Sequence, residues 1–196
     1  FIDAHLHALS SGIAHVRSVD CDLRSIGEIQ EALRQRAGET PKGEWVRGFK
    51  FDDTKTDECR FLRRTDLDAV STDHPIYISH RAGHHGFVNS RALDVAGLDR
   101  DTPDPAGGEF ERDPTTGELT GVAAERAMGP FSALIPPVTE ADRRAGLVRI
   151  CEMFNAAGLT SVHDAIVSDR DLVTYQKGYA DGELTLRVNA LMWHTH

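Results

Sequence analysis

The sequence predicts an α/β fold built around a parallel sheet. Three observations carry that expectation. From residue 139 onward the order reads helix, strand, helix, strand, the pattern of parallel strands joined by crossover helices. The chain opens on a strand-like run, Phe1-Ile2-Asp3-Ala4-His5-Leu6-His7, in which apolar and polar side chains alternate. Between these, residues 38–137 hold short mixed elements and a turn-rich stretch.

On a regular strand the opening run puts Ile2, Ala4 and Leu6 on one face and Asp3, His5 and His7 on the other. Two imidazoles spaced i, i+2 on a rigid strand can converge on one divalent ion, because neutral ring nitrogens suit zinc and similar metals. An edge strand with both histidines in water is the competing reading. Next, Ser25-Ile26-Gly27-Glu28 has the spacing of a capping box, and Ile26, Ile29, Leu33 and Ala37 recur on one side, which predicts a helix over 25–37. The apolar and aromatic run after Gly43-Glu44 predicts a strand near 45–50, Arg64 to Val70 a short helical turn, and Pro75 to His80 another strand. Asn89 to Gly97 reads as a short helix with Asn89 or Ser90 as its cap and Gly97 at its end.

The stretch from Thr102 to Thr120 is rich in Gly, Pro and Asp, and its few apolar residues alternate around Asp113-Pro114-Thr115-Thr116-Gly117. That predicts a surface hairpin, with disorder as the alternative. Thr139 opens the clearest helix, which ends at Gly158. Leu159 to Asp164 is a buried strand, Ser168 to Tyr179 a second capped helix, and Leu184 to Met192 the next strand.

At 196 residues and 40% hydrophobic content the composition is that of a soluble globular protein. A net charge of −9, with basic residues dispersed among the acids, argues against nucleic acid and anionic membrane as partners. No run approaches the ~20 apolar residues of a membrane span, and no charged segment precedes an apolar one at the start. Cys21, Cys59 and Cys151 are odd in number and lack C-x-x-C spacing, which points to reduced thiols and a cytoplasmic protein.

Several of these segments together resemble a known family. Phe1 to His7 is similar to the first barrel strand of the amidohydrolase superfamily, Phe-Ile-Asp-x-His-x-His, and Gly158-Leu159-Thr160-Ser161-Val162 is similar to its second. Between them lie Trp45-Val46-Arg47-Gly48, Gly83-His84 through Asn89-Ser90-Arg91-Ala92-Leu93, Pro103 through Asp113, and Gly121-Val122-Ala123-Ala124-Glu125. These four match, in order, the insertion of amidohydrolase family 3, the YtcJ-like and N-substituted formamide deformylase-like branch.

The resemblance implies a partial metal-dependent hydrolase (β/α)8 TIM barrel, its first three strands lying in residues 1–37 and 138–196. Residues 38–137 are then an inserted α+β subdomain over the barrel mouth. A whole barrel takes about 250 residues, so the resemblance implies an N-terminal portion of a larger protein. The implied activity is hydrolysis of a C–N bond (amide, N-acyl or N-formyl) in a small-molecule substrate through a metal-activated water. Zn or another divalent metal is the implied cofactor, one or two ions in the intact protein, with His5 and His7 as ligands. A homo-oligomer is compatible with this reading. The family's remaining ligands belong to the fourth, fifth, sixth and eighth strands, so the 196 residues alone are expected to bind metal weakly and not to turn over substrate. A deaminase of the same superfamily, or a non-catalytic module with a structural His pair, are the alternatives.

Further candidates are Trp45, His84, Asn89 and His163 as substrate-pocket residues and Glu125 as a general acid/base or extra ligand. Each has a bland counterpart. Trp45 fits a core, His84 can satisfy buried backbone groups, Asn89 can cap the following helix, and Glu125 can be a helix-start carboxylate. His163-Asp164 ends the proposed second strand, where alternation lets only one of the two face inward. His194 and His196 repeat the spacing of the opening pair, against which stands the frayed character of chain termini.

Overall fold

A computed structural model describes residues 1–193, so the His194/His196 pair lies outside the described residues. In chain order the elements are β1 (Ile2–Leu6), α1 (Ala8–Arg17), β2 (Val19–Asp20), α2 (Ile26–Glu39), β3 (Val46–Phe51), α3 (Arg64–Asp68), β4 (Ile76–His80), β5 (His85–Val88) and α4 (Ser90–Ala96). They continue with β6 (Gly108–Arg112), β7 (Leu119–Glu125), a 3-10 turn at Arg126–Met128, α5 (Gly129–Leu134), α6 (Glu140–Ala156), β8 (Ser161–Val167), α7 (Asp169–Ala180) and β9 (Arg187–Met192).

The chain forms two compact units, one from Phe1–Arg17 and the residues from Pro137 onward, the other Ser18–Pro136. In the first unit β1, β8 and β9 make a parallel sheet in that order, with Ile2 opposite Ser161 and Val162 opposite Val188. This is the α/β arrangement the sequence predicts, three successive parallel strands of a partial barrel. Helices α1, α6 and α7 bury Leu9, Leu147, Ile150, Cys151 and Tyr175 together with Val162 and Val167 of β8. Thr139 and Ser168 cap α6 and α7 through reciprocal boxes with Asp142 and Asp171. Arg143 of α6 also bonds Asp171, which ties the two helices at one end.

Helices α1 and α6 meet backbone to backbone. A Cβ on Gly12 would lie 2.1 Å from the Gly146 carbonyl oxygen, and one on Gly146 would lie 2.7 Å from the Ile13 nitrogen. Only hydrogen fits at either position.

The second unit is a six-stranded mixed sheet, β2-β3-β4-β5-β7-β6, parallel across the first three strands and antiparallel beyond. Alternation along its strands feeds two cores. Ile76 and Ile78 join Ile26, Ile29 and Leu33 of α2, while Tyr77 between them joins Ala92, Leu93 and Phe131. Because the apolar side of α2 is buried against β3 and β4, residues 18–37 fall in this unit, so the boundary sits at Arg17/Ser18 and not at 37/38 as the sequence reading placed it.

The capped helices and the 108–125 hairpin form where the sequence predicts them, with Asn89 capping α4 and Gly97 ending it in the left-handed region at φ 66°. Glu28 departs from a reciprocal box, since its carboxylate takes the Arg24 N–H and not that of Ser25. Helix α1, strand β5 and helix α5 were not anticipated. Each is short and lacks either a side-chain cap of its own or a clean period. Among the described residues no helix is long and apolar enough to cross a membrane. All three cysteines are unpaired, Cys59 exposed and Cys21 and Cys151 buried.

Two outcomes test this packing. Gly12→Ala is expected to destabilise by about 1–3 kcal/mol through overpacking. Gly38→Ala, at an exposed position of α2 with no atom within 4 Å of the new Cβ, should be neutral or stabilise by up to about 1 kcal/mol; urea unfolding compares them. Burial pushes the Cys21 thiol up to about 12, so with a thiol reagent near pH 8 Cys59 should react under native conditions and Cys21 only after unfolding.

Candidate functional site

In the first unit the histidine pair stands at the C-terminal end of β1, the end of a parallel β/α sheet where active sites are built. Both residues are exposed, and their rings approach edge-on with centroids 5.8 Å apart. His7 Nδ1 lies 3.0 Å from the Ala165 carbonyl oxygen. A carbonyl only accepts, so Nδ1 carries a proton, and in the neutral ring the lone pair then lies on Nε2, the state a metal ligand needs.

The strand that presents them is not regular. Asp3 pairs with Val162 but Leu6 with Asp164, so β1 carries one extra residue between them. Strict alternation therefore does not run from Asp3 to His7 as the sequence reading assumed. The Asp3 carboxylate accepts the His5 backbone N–H at 3.0 Å, serving the irregular backbone and not an imidazole. Leu6 and Asp164 share the helix-covered side, which leaves His5, His7 and His163 for the other. His163 is half-buried there, with Nδ1 3.3 Å from the side-chain amide of Asn189.

Asp164, which the sequence marks only by its alternation with His163, is the more constrained residue. It is 3% exposed and accepts hydrogen bonds from Ala8 N–H (2.7 Å), Leu9 N–H (3.4 Å) and the Tyr175 hydroxyl (2.5 Å). An acid two residues beyond a buried apolar position on a strand was the only available signal.

In the second unit, polar residues gather at one end of the sheet, after β3 and β4 and around the 81–84 turn. An extra residue in β3 between Gly48 and Phe51, with Lys50 at φ 62°, brings Phe51 opposite His80 and sets Asp52 and Asp53 beside it. Among the described residues, Asp52, Asp53 and His80 are the only three acidic, His or Cys side chains whose ligand atoms lie within 4.8 Å of one another, close enough to share an ion. Their hydrogen bonds weigh against an ion in this arrangement. Ala82 N–H donates to His80 Nδ1 at 3.1 Å, so Nε2 carries the proton and gives it to Asp53 at 3.0 Å. Asp52 takes the N–H and hydroxyl of Thr54 and lies 3.6 Å from Arg81. The Thr54 hydroxyl holds its carboxyl below the ordinary value.

His84 and Glu125, separate candidates in the sequence, meet here. His84 Nδ1 is 2.9 Å from Glu125 Oε1, and Glu125 N–H donates to the His84 carbonyl at 2.9 Å. Glu125 ends β7 at φ 51°, ψ −121°, a conformation costing a non-glycine residue of order 1–3 kcal/mol and found most often at functional positions. Two other candidates do not belong to this end. Trp45 precedes β3 at the opposite end of the sheet and packs against the core of Tyr77 and Phe131. Asn89 is fully buried: its Oδ1 accepts from Ile76 and Ala92, and its Nδ2 donates to the Ser71 and His74 carbonyls. No group on Asn89 is left for a substrate.

Parallel strands alternating with helices have counterparts among solved structures of metal-dependent hydrolases. Two solved structures described as uncharacterized metal-dependent hydrolases, from Pyrococcus horikoshii and Pyrococcus furiosus, superpose with TM-scores of 0.62 and 0.61 at 25% identity. They cover 97% and 98% of this chain, which spans 35% and 37% of theirs. The chain belongs to the amidohydrolase family, whose model matches residues 1–196. It is 34% identical over its whole length to the N-substituted formamide deformylase of Arthrobacter pascens, and 29% identical over 99% of its length to the putative amidohydrolase YtcJ of Bacillus subtilis. In both cases it spans 37% of the relative's length.

The assignment of Asn89 is testable. Asn89→Ala strips a cap and leaves several buried backbone groups unpaired, so it should destabilise by about 3 kcal/mol in urea unfolding, and Asn89→Asp by less.

Proposed function

We propose that this chain carries the N-terminal part of a metal-dependent amidohydrolase that hydrolyses a C–N bond of amide, N-acyl or N-formyl type in a small molecule. The single observation that carries the reading is the His5/His7 pair: exposed at the C-terminal end of a barrel-type strand, with His7 Nδ1 committed to the Ala165 carbonyl and Nε2 left to bind. The identity to a protein named N-substituted formamide deformylase supports the choice of bond. A bound divalent ion supplies Lewis acidity, lowering the pKa of its water toward ~7 and polarising a carbonyl.

The chain's own contribution is to hold and orient that ion through two neutral imidazoles. Two protein ligands are fewer than the three of a typical catalytic zinc site, so the remaining donors belong to sequence beyond these 196 residues. The 196-residue chain alone is accordingly expected to bind metal weakly and to show no turnover. His163 on the same face is proposed as pocket lining, and His84 with Glu125 as a polar pair for substrate or proton handling.

The test uses the intact protein, with metal content and hydrolysis of N-substituted formamides and N-acyl amines as readouts. His5→Ala and His7→Ala should each lower hydrolysis by more than the ~100-fold that marks loss of an outer partner, with metal content falling in parallel. An intact protein that holds no metal, or unchanged hydrolysis in His5→Ala, would sink the reading.

A further inference from the structure

Helix α1 starts directly after His7, and its first two N–H groups are met from far along the chain. Asp164 Oδ1 accepts from Ala8 N–H at 2.7 Å, and Oδ2 faces Leu9 N–H at 3.4 Å. The helix is thus capped by a carboxylate on β8, with the charge placed where the helix dipole favours it. The next residue on β8, Ala165, holds the His7 ring through its carbonyl. Two consecutive residues of one strand therefore fix three consecutive residues, His7, Ala8 and Leu9.

Two further observations single out this segment. Tyr175 on α7 donates its hydroxyl to Asp164 Oδ2 at 2.5 Å. Burial, and then the hydrogen bond to Asp164, raise the phenol well above its ordinary value, so it remains a donor. Ile166, the residue after Ala165, sits at φ 62° and is 58% exposed, and the β8–β9 ladder is irregular at that point. A β-branched residue in the left-handed region is a backbone outlier that the surrounding structure must impose.

We propose that Asp164, held by Tyr175, is the positioning residue of the histidine pair: through the Ala8–Leu9 backbone it sets His7 against the Ala165 carbonyl and so keeps Nε2 presented to a metal. The inference rests on the reading of His5 and His7 as metal ligands. Asp164 itself has no part in binding the ion, because its oxygens are engaged by the two N–H groups and the hydroxyl.

Asp164→Asn keeps an acceptor for Ala8 but sets an NH2 where Oδ2 met Leu9 and Tyr175; Tyr175→Phe removes the hydroxyl alone. The experiment uses the intact protein with two readouts, Co2+ affinity from its electronic absorption and the His7 tautomer from imidazole 15N shifts in the metal-free protein. Asp164→Asn should weaken Co2+ binding 10–100-fold, the range for outer partners of a ligand histidine, and Tyr175→Phe by less. In both, the metal-free His7 should pass from one Nδ1–H tautomer to a mixture, with the unfolding midpoint confirming a folded protein.

Folded Asp164→Asn that binds Co2+ like the wild type and keeps the single tautomer would overturn the proposal, leaving Asp164 as a helix cap only. If the wild type and His7→Ala bind Co2+ equally, the metal reading fails by itself. The tautomer measurement then still decides whether Asp164 orients His7.

Discussion

Parallel pairing of β1 with β8 is the constraint on which the rest of the first unit depends. These strands lie near opposite ends of the chain, yet Ile2 must find Ser161 and Leu6 must find Asp164. A parallel pair cannot be closed by a tight turn, and here the connection is long enough to hold a folded unit of its own, Ser18–Pro136. Loop-closure entropy grows only slowly with length, so such an excursion is tolerated thermodynamically. Its consequence is that Asp164 and Ala165, which bond the start of α1 and the His7 ring, come from sequence that no local rule connects to His7.

Irregular ladders stand beside several of the chemistry-bearing side chains. β1 carries an extra residue just before His5 and His7, β3 one just before Asp52 and Asp53, and β8 one at Ile166 beside Ala165. Three of the non-glycine residues with positive φ, Lys50, Glu125 and Ile166, stand at these points or at the end of β7 beside His84. A bulge re-aims the side chains that follow it. That is how an acidic pair reaches His80, and how the side of β1 bearing His5 and His7 is set independently of Asp3.

The two polar groupings differ in what their hydrogen bonds leave free. His7 spends one nitrogen on a carbonyl and keeps the other as a lone pair. His80 receives an N–H on one nitrogen and donates from the other, so it is satisfied as it stands. Proximity alone makes Asp52, Asp53 and His80 the more crowded donor set, whereas the hydrogen bonds already made leave His80 without a nitrogen to spare and His7 with one.

Much of the fold was legible in the sequence because it rests on short-range rules. The helix starts at Thr139 and Ser168, the Asn89 cap with Gly97 behind it, and the turn at Asp113 to Gly117 act within a few residues, and each formed where the sequence implied. The opening strand was legible for the same reason, with His5 on it and His7 directly after its end. Helix α1 and the boundary at Arg17 were not, since α1 takes its cap from Asp164 and α2 buries its apolar side against β3 and β4. Nor could sequence pair His84 with Glu125, or retire Asn89 from the pocket, because both outcomes are set by partners brought in by strand pairing. Local spacing determined which residues the protein has for chemistry. Tertiary structure alone decided which of their nitrogens and oxygens are already spoken for, because a hydrogen-bond partner distant in sequence is chosen by the fold.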